Sequence, residues 1–413
     1  MSLKGPIALL TRRELLAATA LLAGGFVSAR ADESCVDIGP MPVTPARGRV
    51  ALGDISERVA WGVAIESPAV FDAKLIEALS AESPKFLAIA SGLKFDYLYP
   101  HRPEAGATAN WSECDAVLAL AARLGVPVRG DCLAWNDWQP EWLKSIASER
   151  PEGWQLLLRG YFARHFRDVF AHFSPTDPML RWCGVVNEPF NPWFRTNGGA
   201  AWRTGAWIDA FGFAADGVPA YIHEAFALGA KHAAAGTALF LNETNCDNDK
   251  FGPLVRPALL ALVDKLQRAG RRVDAIGLEC HLVPQWMNDP RKPDFSAFVA
   301  FLRDLARRGV RILLTELDVN DCSIHDAGDR DRLVADTMYE FVAASTAVPA
   351  VEMVTNWDFS DKYSWLRSAA VYPSLQRWSD CVAAPPCPRP DIYDEAMRPK
   401  AARESLARAL GER

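Results

Sequence analysis

The chain has 413 residues, half of them hydrophobic, with 45 basic against 51 acidic side chains and a formal net charge of −6. That length can build a large core, either as one α/β barrel or as two ordinary domains. The Lys and Arg residues are scattered and form no basic stripe, so nucleic acid is not an expected partner.

The first residues read as a targeting segment. Lys4, Arg12 and Arg13 precede an apolar run, LLAATALLAGGFV (15–27), and Ala29-Arg30-Ala31 has the small-residue form of a cleavage site. The run is shorter than the roughly 20 residues that a bilayer-spanning helix needs. A signal peptide over 1–31 is therefore expected rather than a membrane anchor, and TRRELL (11–16) resembles a twin-arginine signal, with the general secretory route as the alternative. The expected product is exported, periplasmic or secreted, and starts at Asp32 in an oxidising compartment. Residues 32–58, with Pro40, Pro42 and Pro45, read as an irregular arm.

From there, eight apolar runs follow in chain order: VAWGVAI (59–65), KFLAIAS (85–91), VPVRGDCLAW (126–135), LRWCGVVNE (180–188), ALFLNET (238–244), VDAIGLECH (273–281), VRILLTELD (310–318) and VEMVTNWDF (351–359). Most are separated by amphipathic, helix-like segments. Continuous rather than alternating hydrophobicity indicates strands buried on both faces, hence a parallel sheet covered by helices. Eight such units predict a single-domain (β/α)8 barrel over 59–410. The segment 191–212 reads as an extended loop on its active face.

Polar residues gather where these runs end: Lys94, Asp131, Trp135, Asn187, Glu188, Asn242, Glu243, Glu279, His281, Glu316, Asp318, Trp357 and Asp358. In a barrel that is the catalytic rim. Glu188 and Glu316, on the fourth and seventh runs, form a candidate carboxylate pair of the kind that cleaves glycosidic bonds, with retention or inversion set by their separation. Fourteen tryptophans accompany them, and Trp135, Trp138, Trp193, Trp202, Trp286, Trp357 and Trp365 fall in rim segments where flat aromatic faces suit sugar rings. Taken singly, Glu243, Glu279 and Asp358 read as solvated or ion-paired strand-end carboxylates. His165, His172 and His325 carry no motif and read as surface or helix residues.

Nine cysteines leave at least one thiol unpaired. Cys381 and Cys387 are the expected local bridge, and Cys132, Cys183 and Cys280 read as small buried hydrophobes. No zinc-type Cys/His spacing occurs. Metal-dependent hydrolysis would want closely spaced His ligands, whereas His281 alone stands at the rim.

These stretches resemble glycoside hydrolase family 10, best known for endo-β-1,4-xylanases. WCGVVNEPF is similar to that family's acid/base strand and LLTELDV to its nucleophile strand. IGLECHL, NWDFSDKYSWL, VRGDCLAWNDWQPEW and the closing DIYDEAMRPKAARESLARAL match further family segments in order. The resemblance implies a retaining double displacement on a polysaccharide or oligosaccharide, with Glu188 as acid/base and Glu316 as nucleophile. Asn187 would bind the sugar 2-hydroxyl, His281 would orient Glu316, and Lys94, Trp135, Trp357 and Trp365 would line the glycone side. No cofactor or metal is implied, and a monomer is expected.

The departures fall in the sugar-reading shell. Ala90 and Ser91 stand where the family has Glu and Asn, Asp131 where it has His, Trp138 and Glu279 where it has Gln. Asp131 and Glu279 add two potential negative charges near the catalytic pair, which raises carboxyl pKa values unless Lys94 or Arg129 compensates. Two alternatives follow from these changes: a glycosidase acting on a bacterial exopolysaccharide, and a carbohydrate-binding barrel with little catalysis.

Overall fold

The computed structural model describes residues 49–411 except 105, 174–178, 197–198, 322–323, 325 and 368–386. The expected signal peptide, Cys35, Cys322, His325 and Cys381 lie outside the described residues, and with Cys381 so does the expected bridge to Cys387.

All eight apolar runs form strands, and these close into a parallel barrel. In chain order they are β1 (Ala60–Ile65), β2 (Leu87–Ile89), β3 (Val128–Gly130), β4 (Leu180–Asn187), β7 (Ala238–Glu243), β8 (Ala275–Leu282), β9 (Arg311–Val319) and β10 (Val351–Trp357), with β1 pairing with both β2 and β10. The segment 191–212 is not a loop. Between β4 and β7 the chain makes an antiparallel hairpin, β5 (Phe190–Thr196) with β6 (Gly199–Trp202), and then a short helix, Ala206–Phe211. The periodicity of this stretch was hidden because Phe190 stacks on Trp202, 4.7 Å between ring centroids, so its order comes from a cross-strand aromatic pair rather than from an alternating pattern.

Helices cover the outside of the barrel, and their starts and stops follow local chemistry. The Asp72 carboxylate accepts the N–H groups of Lys74 and Leu75 at the start of helix Ala73–Ala81. Inside the barrel, Phe86, Ala88, Phe240, Leu313 and Met353 make a dry plug, and polar side chains take over above it.

Two β-bulges decide which side chains enter that polar layer. Along β9, Leu314 pairs with Leu278 but Glu316 pairs with Glu279, so Thr315 is an extra residue. Strict alternation from the inward Leu313 would keep Thr315 inward and turn Glu316 out toward the helices; the bulge turns Glu316 inward as well. A similar shift between Gly184 and Val186 on β4 brings Asn187 inward, opposite Asn242 of β7.

At the opposite end the first described residues and the last helix are tied to one buried carboxylate. The last residues of the expected arm form a helical turn, Leu52–Ile55, and the Leu52 N–H donates to Glu82. Glu82 also takes Arg403 of the final helix (Ala401–Gly411) at 2.7 Å, Arg49 at 2.8 Å and the Tyr393 hydroxyl. Burial would raise its pKa, but Arg403, Tyr393 and the Leu52 N–H outweigh burial and lower it. Its contribution to stability is therefore present at neutral pH and lost as pH falls through the depressed value. Glu82→Ala leaves Arg403 buried without its partner. It is expected to cost about 3 kcal/mol, measured as a lower urea midpoint at unchanged slope.

Candidate active site

The barrel registers deliver the polar residues to one place. Asn187 stands opposite Asn242, Glu279 opposite Glu316, and His281 opposite Asp318. At their centre the Asn242 amide nitrogen donates toward Asn187 Oδ1 (3.0 Å), Glu279 Oε1 (2.9 Å) and Glu316 Oε1 (2.9 Å). Its Oδ1 accepts from Thr315 Oγ1 at 2.7 Å.

Glu316 is 7% exposed, and its second oxygen faces His281 Nε2 at 3.1 Å. His281 Nδ1 lies 2.9 Å from Asp318 Oδ2, which also accepts the Trp365 indole N–H. Both ring nitrogens thus face carboxylates, an arrangement that calls for an imidazolium donating twice. Burial would lower the His281 pKa, but Asp318 and Glu316 overcome burial and raise it well above the usual value.

Glu188 is held differently. It follows β4 at φ +39°, and its N–H donates to the Asn242 carbonyl at 2.9 Å. That left-handed backbone conformation is costly for a side-chain-bearing residue and turns the carboxylate away from the strand direction. Arg203, just past β6, donates Nε to the Glu188 carbonyl at 2.8 Å and Nη2 to its carboxylate, while Nη1 pairs with Asp137. Burial raises the Glu188 pKa; Arg203 opposes that, and Asp137 and Glu316 add to it. The two glutamates therefore differ in their partners: Glu188 faces Arg203 with Asp137 beside it, and Glu316 faces Asn242 and His281.

The Lys94 ammonium lies 4.9 Å from the Trp138 ring centroid and 5.7 Å from that of Trp135. Trp357 and Trp365 flank the His281 ring at 6.1 and 4.7 Å between centroids. At the far side, Trp193, Phe251 and Trp286 cluster around the Lys250 ammonium, and Trp193 is 46% exposed.

Several expectations are corrected. Glu243 and Glu279 are not solvated: they are 0% and 3% exposed. Burial, with Glu188 beside Glu243 and Glu316 beside Glu279, raises both pKa values well above normal. Glu243 instead accepts the Phe190 and Thr244 N–H groups. Asp358 is half-buried at φ +75°, accepts the Trp365 N–H, and is also raised by burial. His165 is fully buried in a helix, and burial pushes it down to about 3.

Asp131, expected to contact substrate, is buried and pairs with buried Arg129 at 2.7 Å. Burial, opposed by Arg129, leaves it at about 6. So the first added carboxylate has a cation at salt-bridge distance and the second, Glu279, has none among the described residues.

Sequence reading did not single out Arg203 or Asp137, and it named Asn242 and Asp318 only as rim residues. Arg203 lay in a stretch without motif or period, and its value comes from the Asn136 and Gln139 side chains. These accept the Trp207 and Ala206 N–H groups and seat the short helix behind it.

The family profile described as Glycosyl hydrolase family 10 matches residues 53–409. The chain is 28% identical to endo-1,4-β-xylanase C of Phanerodontia chrysosporium over 281 residues, 67% of this chain and 61% of that protein. It is 26% identical to an endo-1,4-β-xylanase of Agaricus bisporus over 308 residues, 74% of this chain and 81% of that protein. The solved xylanase 10B of Thermotoga petrophila in complex with xylobiose superposes with a TM-score of 0.69 at 20% identity, covering 89% of this chain and 98% of that one.

Room for Asn242 depends on Gly277, because a Cβ there would lie 2.4 Å from Asn242 Oδ1. Gly277→Ala is expected to displace the amide and lower turnover of a glycosidic substrate by about 10²-fold, with the circular dichroism spectrum unchanged.

Proposed function

This chain belongs to glycosyl hydrolase family 10, and on that premise we propose that it is an exported, retaining β-glycanase cleaving internal β-1,4 linkages of xylan or a close relative. The observation that carries the reading is the different setting of the two glutamates: a half-buried Glu188 ion-paired with Arg203, across the rim from a Glu316 gripped by Asn242 and His281. Glu316 attacks the anomeric carbon as Glu188 protonates the departing oxygen. Glu188, now ionised and steadied by Arg203, takes a proton from the water that releases the sugar from Glu316. Asn187 gives its Oδ1 to Asn242, which leaves its NH2 group to donate to the sugar 2-hydroxyl. Trp357, Trp365, Trp135 and Lys94 supply ring faces and a cation on the glycone side.

Xylan is favoured by the xylanases among the relatives. One observation favours a different sugar within the same chemistry. Glu66, at the end of β1, sits beside Lys94 and Ser91, so the glycone corner carries a carboxylate that burial pushes toward its neutral form against Lys94. Export rests on the N-terminal segment alone.

The test is release of reducing ends by the chain from Asp32 on xylan, glucuronoxylan, β-glucans and bacterial exopolysaccharides. Glu316→Gln is expected to lose at least about 10³-fold. Glu188→Ala is expected to lose ~10²–10⁴-fold on polymer and far less on aryl glycosides with good leaving groups. With added azide, Glu188→Ala should yield a β-configured glycosyl azide. An α-configured product would exclude retention, and silence on all polymers from a folded protein would favour a binding barrel.

A further inference from the structure

The Asn242 amide faces more acceptors than it has hydrogens. Asn187 Oδ1, Glu279 Oε1 and Glu316 Oε1 all lie within 3.0 Å of a nitrogen that carries two. The bond from Thr315 Oγ1 to Asn242 Oδ1 fixes which end of the amide faces them. Glu279 and Glu316 are paired across β8 and β9, with carboxylate oxygens within 4.8 Å of each other.

Among the described residues no cation is at salt-bridge distance from Glu279, and the one positive neighbour that opposes its protonation, His281, is engaged elsewhere. His281 on β8 spends both nitrogens on Glu316 and Asp318. Arg203 holds Glu188 and Asp137, and Arg129 holds Asp131 and the Thr315 carbonyl. The other titratable neighbours are Glu188 beyond β4, Glu243 on β7, Asp247 in the loop that follows, and the buried thiols of Cys246 and Cys280. None of these brings a positive charge.

We propose that Glu279 works as a neutral carboxylic acid and is a positioning residue for Glu316, supplying the hydrogen that the Asn242 amide lacks and keeping a second negative charge away from the nucleophile. This rests on the reading of Glu316 as nucleophile. Burial and the nearness of Glu316 and Glu188 both favour the protonated form. In the second half of the reaction Glu316 must leave the sugar as a carboxylate. A neighbouring anion raises its proton affinity and makes it a poorer leaving group. Ionisation of Glu279 as pH rises therefore slows deglycosylation.

An aryl β-xylobioside with a dinitrophenolate leaving group isolates that step, because its first step needs no acid. Glu188 then acts only as a base and produces no alkaline limb. For the wild type, kcat is expected to fall as pH rises, approaching about tenfold per pH unit. Glu279→Gln keeps the shape of the neutral acid and is expected to lack this limb, falling only where His281 gives up its proton. Matching alkaline limbs in the two proteins would overturn the proposal.

A second readout needs no turnover. The wild-type minus Glu279→Gln infrared difference spectrum at neutral pH should show loss of a carboxylic acid C=O stretch, and the same band should bleach when wild type alone is titrated to alkaline pH. Loss of carboxylate bands instead would overturn the proposal. An acid band in a protein that turns over no glycoside would uphold the state of Glu279 and count against the glycanase reading.

Discussion

One side-chain amide holds the catalytic rim together. Asn242 reaches from β7 to Asn187 on β4, Glu279 on β8 and both Thr315 and Glu316 on β9. It is fully buried, so these hydrogen bonds act in a low-dielectric interior where an unmet polar group is costly. The amide fits because Gly277 has no side chain, and the β9 bulge adds the Glu316 carboxylate beside the inward Thr315 hydroxyl. Backbone register, a glycine and a bulge thus act together to bring that amide to the proposed nucleophile.

Stability and chemistry sit at opposite ends of the barrel. The Glu82 cluster gives a buried carboxylate every donor it needs, from Arg403, Arg49, Tyr393 and the Leu52 N–H, and joins the first described residues to the last helix. At the catalytic rim the balance is reversed: Glu243 and Glu279 are buried with no cation at salt-bridge distance among the described residues, and Glu188 and Asp358 adopt left-handed backbone conformations. Such frustration is tolerated where the surrounding structure over-determines the geometry. The eight strands, closed on themselves, provide that constraint.

The barrel was legible because its signal is repetitive and local: eight continuous apolar runs, each ending in polar residues, found strand for strand in the structure. Glu188, Glu316, Asn187 and His281 were legible for the same reason, since they end such runs. What escaped depends on contacts between strands. No local pattern marks Thr315 as a bulge residue, although the inward aim of Glu316 depends on it. Glu243 and Glu279 read as solvated because strand-end carboxylates usually are, and their burial is decided by β4 and β9. Arg203 lay in a stretch whose hairpin is set by the Phe190–Trp202 stack, which only the fold brings together. Asp131 was placed near the right chemistry but read as a substrate contact, because its burial with Arg129 is set by the fold.

The two extra carboxylates of the sugar-reading shell illustrate two ways of placing an acid inside a barrel. Asp131 comes with Arg129 two residues earlier on the same chain segment, and the pair can enter the interior with its charges balanced. Glu279 has no cation at salt-bridge distance among the described residues, so its burial is tolerable in the neutral form, and an acid that is neutral presents the same outline as an amide while keeping the capacity to ionise. An amide at this place would carry no pH-dependent charge. A carboxylic acid ties the charge beside Glu316 to the pH of the compartment in which the protein works. The difference between the two is a single proton, held where strands β8 and β9 pair and where the Asn242 amide has no hydrogen left to give.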